Sequence, residues 1–189
     1  MKLIQQQDYK LVLSEINECL SRVDEQQMID LINAIMQSRH ILMVGAGRMG
    51  LMLQSFCARL NHLGFTAYMV GTTGCPPITK DDLLLVASSS GETPTVREIA
   101  LIAHKMDASI FTITATTSST IAMLSSGLLY LEAPSSLTQE KTGALTSAQP
   151  MKTLFEQSLF VLLECIVLRF IEKTGQSVED LAQRHANLE

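Results

Sequence analysis

Two stretches of the sequence carry the residues that an anion site needs. The first, VGAGRMG (44–50), follows an apolar run and has the G-x-G-x-x-G spacing of a phosphate-binding turn. The second, ASSSGETPT (87–95), offers hydroxyls and a glycine where backbone amides can approach an anion at a helix start. Its candidate phosphate ligands are Ser88, Ser89, Ser90, Gly91 and Thr93. Both stretches indicate a site for a phosphate group.

The glycine-rich run by itself is also typical of a nicotinamide-dependent oxidoreductase. A dinucleotide site adds an acidic residue about 20 positions further on, at the end of the second strand, to bind the ribose hydroxyls. Here the second predicted strand ends in VGTT (70–73), which contains no carboxylate. The sequence therefore favours one phosphate site over a dinucleotide site.

A helix cap is the simpler explanation of the second stretch. Ser90 or Thr93 could satisfy the first amides of a helix, and Thr95 with Glu98 has the spacing of a capping box. Four hydroxyls and a glycine between a buried strand and a helix exceed what a cap requires. The phosphate hypothesis is preferred for that reason.

Glu156 is the candidate for acid–base chemistry. On a helix its neighbours at plus 3, plus 4 and plus 7 are Leu159, Phe160 and Leu163, so the carboxylate lies on an apolar stripe. Partial desolvation of this kind favours proton uptake by a carboxylate. The alternative is a capping box formed by Thr153 and Glu156 at the start of the helix.

Short apolar runs that alternate with helical segments predict the scaffold. Each run is nearly continuous in apolar residues, which indicates a parallel sheet covered on both faces. The fold class is therefore α/β, a doubly wound five-stranded parallel sheet flanked by helices, with ligands at the carboxyl ends of the strands. The predicted strands are 41–45, 66–71, 83–87, 109–114 and 127–132.

The remaining segments complete one predicted domain over 1–189. Apolar spacing predicts two N-terminal helices within 2–38, the second capped by Asp24. A long helix is expected from about 150 to 173, and a short one from about 178 to 186. The polar stretch 133–149 is too long for an ordinary connection, so we expect a binding loop, a lid or disorder there.

Composition limits the classes of function. A net charge of -5 and scattered basic residues argue against a nucleic-acid surface. The four cysteines lie far apart without a C-x-x-C pair, so neither a zinc site nor a disulfide framework is predicted. The N-terminus lacks the apolar core of a signal peptide, and Glu164 interrupts the most apolar run, so we expect a cytoplasmic protein without a membrane anchor.

The motifs together resemble the sugar isomerase (SIS) family of phosphosugar-binding domains and, within it, the 6-phospho-3-hexuloisomerases. The resemblance spans most of the chain after the first two helices, and its last two blocks are the more specific. The matching blocks are VGAGRMGLM, RLNHLGF (59–65), VGTTGCPPI (70–78), SSSGET, AQPMKTLFEQSL (148–159) and RHANLE (184–189).

The resemblance implies an isomerase that converts D-arabino-3-hexulose 6-phosphate to fructose 6-phosphate, in the ribulose monophosphate route of formaldehyde fixation. It also implies a homotetramer with active sites at subunit interfaces and with neither cofactor nor metal. Glu156 would be the base, and His185 or His62, reaching the site from a neighbouring subunit, would shuttle protons. The substrate-binding residues would be Gly47, Arg48, Ser88, Ser90, Gly91 and Thr93. His40 and His104 match no family block and are expected to be structural or solvated.

Some residues depart from the family pattern near the expected pocket. Met49 stands where the family usually has a serine, and its side chain cannot donate a hydrogen bond. Thr72, Gly74 and Cys75 also differ from the usual block, whereas Arg48 and Lys141 could supply compensating cations. The alternatives are therefore an isomerase of a different phosphosugar and a non-catalytic SIS module that senses a sugar phosphate.

Overall fold

A computed structural model describes residues 6–134 and 145–187, which form five strands and seven helices. The strands are β1 (Ile41–Gly45), β2 (Ala67–Met69), β3 (Leu83–Ala87), β4 (Ser109–Thr114) and β5 (Gly127–Tyr130). The helices are α1 (Gln6–Ser21), α2 (Glu25–Gln37), α3 (Arg48–His62), α4 (Pro94–Lys105), α5 (Thr120–Leu124), α6 (Thr153–Thr174) and α7 (Val178–Gln183).

The five strands form one parallel sheet in the order β2-β1-β3-β4-β5. This confirms the predicted doubly wound α/β fold and places the reversal of strand order between β1 and β3. Ligands of such sheets bind outside the carboxyl ends of the strands at that reversal. The fold therefore directs attention to the two loops that follow β1 and β3.

The three central strands have the predicted bounds, whereas the edge strands β2 and β5 are shorter than expected. Each edge strand pairs with one neighbour only: β2 is paired as far as Met69, opposite Met43, and β5 as far as Tyr130, opposite Thr114. One further hydrogen bond continues each edge, from the Val70 amide to the Met43 carbonyl at 2.9 Å and from the Leu131 amide to the Thr114 carbonyl at 2.9 Å.

Two hydrophobic clusters cover the two faces of the sheet. Helices α1, α2, α3 and α6 pack on one face, where Phe56, Phe155 and Phe170 are nearly inaccessible to solvent. Helices α4 and α5 and the loop after β2 pack on the other face. Asp24 caps α2 as predicted, because its Oδ1 accepts hydrogen bonds from the amides of Gln26 and Gln27.

The helix starts differ from the sequence expectations. Helix α6 begins at Thr153, and the Thr153 hydroxyl donates to the Pro150 carbonyl at 2.7 Å rather than forming a capping box with Glu156. Helix α4 begins at Pro94, so the capping box of Thr95 and Glu98 is also wrong. Helix α7 ends at Gln183, short of the predicted end. No helix in the described part of the chain is long and apolar enough to cross a membrane.

Candidate active site

The loops after β1 and β3 lie side by side at the carboxyl edge of the sheet. Gly45, the last residue of β1, is the register partner of Ala87, the last residue of β3. The glycine-rich turn (residues 45–50) and the hydroxyl loop (residues 88–93) therefore leave the sheet from adjacent positions. This is where the sequence predicted a phosphate site.

The structure explains why the glycine-rich turn needs glycine at these positions. A Cβ at Gly50 would lie 2.6 Å from the Gly45 carbonyl oxygen, so this pair lets α3 pack closely on β1. Gly47 precedes α3 with a φ of 59°, a conformation that a side chain disfavours. The G-x-G-x-x-G spacing is thus explained by a tight turn and by close packing of helix on strand, without a dinucleotide.

The hydroxyl loop is buried and internally hydrogen-bonded. Ser88 Oγ accepts a hydrogen bond from the Gly91 amide at 3.1 Å and lies 3.3 Å from Thr93 Oγ1. Ser90 Oγ accepts from the Glu92 amide at 3.3 Å. Neither Ser90 nor Thr93 caps α4 through its side chain; Thr93 is the N-cap residue and makes no such bond. The helix-cap interpretation therefore does not account for these hydroxyls.

The end of β4 fixes the backbone of the hydroxyl loop. The Ser89 carbonyl accepts three hydrogen bonds, from Thr114 Oγ1 at 3.2 Å, from the Ala115 amide at 3.1 Å and from Thr116 Oγ1 at 3.1 Å. Ser89 itself is inaccessible to solvent, and its buried Oγ has no hydrogen-bond partner within the described residues. The three bonds to the Ser89 carbonyl anchor the loop backbone to the end of β4.

Helix α5 holds the same loop from the other side. Gly91 has a φ of 63°, and a Cβ there would lie 1.9 Å from Ser119 Oγ. Glu92 Oε1 accepts from the Thr120 amide at 2.6 Å, and hydrogen bonds from the backbone and side chain of Thr120 hold the pKa of Glu92 below its usual value. This contact has no signal in the sequence, because the two residues are 28 positions apart and match no local pattern.

Glu156 reaches the same region from helix α6. It lies in the first turn of α6, its side chain is 12% exposed, and its Oε2 accepts a hydrogen bond from Arg48 Nε. Arg48 is the first residue of α3 and directly follows Gly47. The structure thus brings together Gly47, Arg48 and Glu156, beside the loop that carries the predicted phosphate ligands.

His62 and His185 lie elsewhere in the chain. His62 ends α3, 14 residues from Arg48, which at about 1.5 Å per residue corresponds to about 21 Å. The rings of His62 and His185 contact each other, with centroids 4.9 Å apart. Arg184 Nη1 donates to the His62 carbonyl at 3.0 Å and anchors the C-terminal segment there. Within one chain neither histidine is brought to Glu156, and delivery from a neighbouring subunit stays a prediction.

The residues that depart from the family pattern have different surroundings. Met49 is 8% exposed and packs in the core cluster beneath α3 and α6. Cys75 packs partly buried on the opposite face of the sheet, whereas Thr72 and Gly74 are exposed. Lys141 and most of the predicted 133–149 loop lie outside the described residues.

Comparison with known proteins identifies the family of this chain. The SIS domain family model matches residues 34–162. A Bacillus subtilis (strain 168) protein named 3-hexulose-6-phosphate isomerase is 33% identical over 178 residues, covering 94% of this chain and 95% of the relative. A Mycobacterium gastri protein of the same name is 38% identical over 181 residues, covering 95% and 88%.

A solved structure is similar to this chain in fold as well. The crystal structure of a Methanococcus jannaschii protein, for which a function of 3-hexulose-6-phosphate isomerase was inferred, superimposes with a TM-score of 0.82. It is 28% identical, and the superposition covers 97% of this chain and 99% of that one. With the family model spanning both site loops and the first turns of α6, the chain belongs to the SIS domain family.

Proposed function

We propose that this chain is a 3-hexulose-6-phosphate isomerase (6-phospho-3-hexuloisomerase), which interconverts D-arabino-3-hexulose 6-phosphate and fructose 6-phosphate. The observation that carries the proposal is the ion pair of Glu156 with Arg48, which follows the glycine-rich turn, at the reversal of strand order from which the hydroxyl loop also leaves the sheet. Relatives of this name that align over nearly the whole chain support the same reaction.

The phosphate group would bind in the hydroxyl loop. Ser88, Ser90 and Thr93 offer hydroxyl donors. Gly91 lets the loop turn tightly against Ser119, because a side chain would not fit there. The loop opens into the 12-residue helix α4, whose N-terminal amides favour negative charge. Since the loop is already held by β4 and α5, little conformational entropy is lost when phosphate binds.

The sugar carbons would then lie toward Glu156. Moving a carbonyl from carbon 3 to carbon 2 requires a base that takes the proton from carbon 2 and returns it to carbon 3 through an enediol. Glu156 is that base in our proposal, with Gly47 and Arg48 lining the sugar end. The proton that leaves the carbon 2 hydroxyl and the one that the carbon 3 oxygen gains would pass through an imidazole, His185 or His62.

Because both histidines lie at the far end of α3, the imidazole would come from a neighbouring subunit. We therefore propose a homotetramer with interfacial active sites. We further propose a cytoplasmic enzyme that uses neither cofactor nor metal, since a carboxylate and an imidazole suffice for proton transfer. The whole described chain would act as a single SIS domain.

A direct assay tests the proposal. Purified protein incubated with D-arabino-3-hexulose 6-phosphate should yield fructose 6-phosphate, detected by coupled oxidation or by NMR. Binding of the sugar phosphate without turnover would instead identify a sensing SIS module, and turnover of another phosphosugar alone would identify a different isomerase. Tight binding of NAD would revive the oxidoreductase interpretation.

A further inference from the structure

The N-terminal helix reaches the segment that leads into α6. Glu15 of α1 accepts hydrogen bonds from three consecutive residues: Ser147 Oγ at 2.6 Å, the Ala148 amide at 2.8 Å and Gln149 Nε2 at 2.9 Å. The Gln149 amide also donates to Ser147 Oγ at 3.0 Å. One carboxylate thus fixes both the backbone and the side chains of residues 147–149.

The turn between this segment and α6 is strained. Met151 has a φ of 57°, which is unfavourable for a residue with a side chain, and its side chain is 93% exposed. Its packing therefore offers no compensation. A conformation of this kind is unfavourable and persists only where the surrounding structure determines it. Residues 147–149, which precede this turn, are held by Glu15.

Local hydrogen bonds continue from this turn into the first turn of α6. The Pro150 carbonyl accepts from the Thr153 amide at 3.2 Å and from Thr153 Oγ1 at 2.7 Å. The Glu156 amide donates to the Lys152 carbonyl at 3.1 Å. These bonds connect the residues that follow the 147–149 segment to the first turn of α6, where Glu156 lies.

We propose that Glu15 is a positioning residue of the isomerase site: by holding residues 147–149 it maintains the strained turn at Met151 and thereby the place of Glu156. This inference rests on the proposed function, because it assigns Glu15 to the reaction that Glu156 performs. It makes α1 a part of the active-site framework rather than only a cover for the sheet. The role has no signal in the sequence, since Glu15 and Ser147 are 132 positions apart.

The carboxylate is suited to this role at neutral pH. Burial acts to raise the pKa of Glu15, but hydrogen bonds from Ser147, the Ala148 amide and Gln149 outweigh it and hold the pKa below its usual value. An ionised carboxylate accepts hydrogen bonds only, which matches the three donors that it meets. A glutamine would direct an N–H group at one of those donors.

The test compares Glu15→Gln with Glu18→Gln, whose carboxylate lies one turn further along α1 and pairs with Arg22. In the full chain, Glu15→Gln should lower kcat about 10- to 100-fold, because small displacements of a catalytic group have effects of that size. KM should change less than about threefold, since the hydroxyl loop is held by β4 and α5. Glu18→Gln should leave both constants within about twofold of wild type.

A second variant separates positioning from general destabilisation. Glycine adopts positive φ without strain. The double variant Glu15→Gln with Met151→Gly should therefore have a kcat at least about threefold higher than that of Glu15→Gln alone. Wild-type kcat in Glu15→Gln, or a rise in KM with kcat unchanged, would overturn the inference. So would a double variant that shows no recovery.

Amide hydrogen exchange distinguishes this inference from the proposed function. Exchange within residues 147–156 should be faster in Glu15→Gln than in wild type, while exchange in α4 should be unchanged. If wild-type protein fails to isomerise the sugar phosphate, the proposed function is wrong, yet faster exchange still supports the restraint by Glu15. Unchanged exchange would overturn the inference whatever the activity.

Discussion

The carboxylate of Glu156 and the guanidinium of Arg48 form an ion pair that joins the first turn of α6 to the first residue of α3. A second pair joins the same two helices about two turns further along α6 and about three turns further along α3, where Arg59 Nε lies 3.5 Å from Glu164 Oε1. Arg48 directly follows Gly47 at the carboxyl edge of the sheet, whereas Arg59 lies in the last turn of α3. The Arg59–Glu164 pair therefore serves as a control for variants of the Arg48–Glu156 pair.

Replacing Arg48 by alanine should impair catalysis more than it impairs folding. We expect Arg48→Ala to lower kcat/KM at least about tenfold, because it removes both a cation at the sugar end and the partner of the base. Arg59→Ala should leave kcat/KM within about twofold. Thermal unfolding should show a loss of about 1 kcal/mol or less for each variant. Equal effects of the two variants on kcat/KM would contradict the assignment of Arg48.

Gly91→Ala should disrupt the hydroxyl loop. The added Cβ would overlap Ser119 Oγ, and the φ of 63° is unfavourable for alanine, so we expect a loss of at least about 2 kcal/mol in unfolding free energy. Affinity for sugar phosphate should fall with it. Gly74→Ala is the control: a Cβ there meets no atom within 4 Å, and its effect should stay within about 0.5 kcal/mol. Wild-type affinity in Gly91→Ala would show that phosphate binds elsewhere.

Delivery of a histidine between subunits can be tested by mixing inactive chains. Glu156→Gln and His185→Ala should each be nearly inactive alone. Refolded together, they should regain activity, because a mixed oligomer contains some sites with an intact Glu156 from one chain and an intact His185 from the other. Repeating the mixture with His62→Ala identifies which imidazole acts. Mixed oligomers without activity would rule out the interfacial arrangement.

Asp82 should make stability depend on pH in the acid range. Its buried carboxylate accepts a hydrogen bond from Arg39 Nε at 3.1 Å. It also accepts hydrogen bonds from the Thr79 amide and the Thr79 hydroxyl, both at 2.8 Å. Burial acts to raise its pKa, but these bonds hold the pKa below its usual value.

The unfolded chain therefore binds this proton more readily than the folded protein does. The contribution of Asp82 is complete above the unfolded pKa of about 3.9 and is lost as pH falls through the lower folded value. Asp82→Asn should cost about 1–3 kcal/mol at pH 7 and flatten the stability profile below pH 4. Urea titrations over that range measure both effects; a variant with an unchanged slope would show that another group is responsible.

The sequence predicted the scaffold better than the site. Strands β1, β3 and β4 are central in the sheet and nearly continuous in apolar residues, so their bounds could be predicted from the ends of those runs. The hydroxyl loop was recognisable because its hydroxyls and Gly91 are adjacent along the chain. The start of α6 was misplaced, since Pro150 is compatible with a first helical turn and the strained conformation of Met151 has no sequence signal.

Contacts between distant residues could not be read from the sequence. Arg48 and Glu156 are 108 positions apart, and their pairing depends on how α3 and α6 cross on the sheet. Glu15 was missed for the same reason. The contact of His62 with His185 likewise depends on Arg184, which holds the C-terminal segment against the end of α3.

Proton exchange at the substrate carbons tests the central claim most directly. Fructose 6-phosphate incubated with the wild-type protein in D2O should gain deuterium at carbon 3, because the reverse reaction removes that proton to form the enediol. Glu156→Gln should lower both this exchange and isomerisation about 100-fold or more, while Glu164→Gln should leave both unchanged. Exchange and isomerisation at the wild-type rate in Glu156→Gln would contradict the assignment of Glu156 as the base.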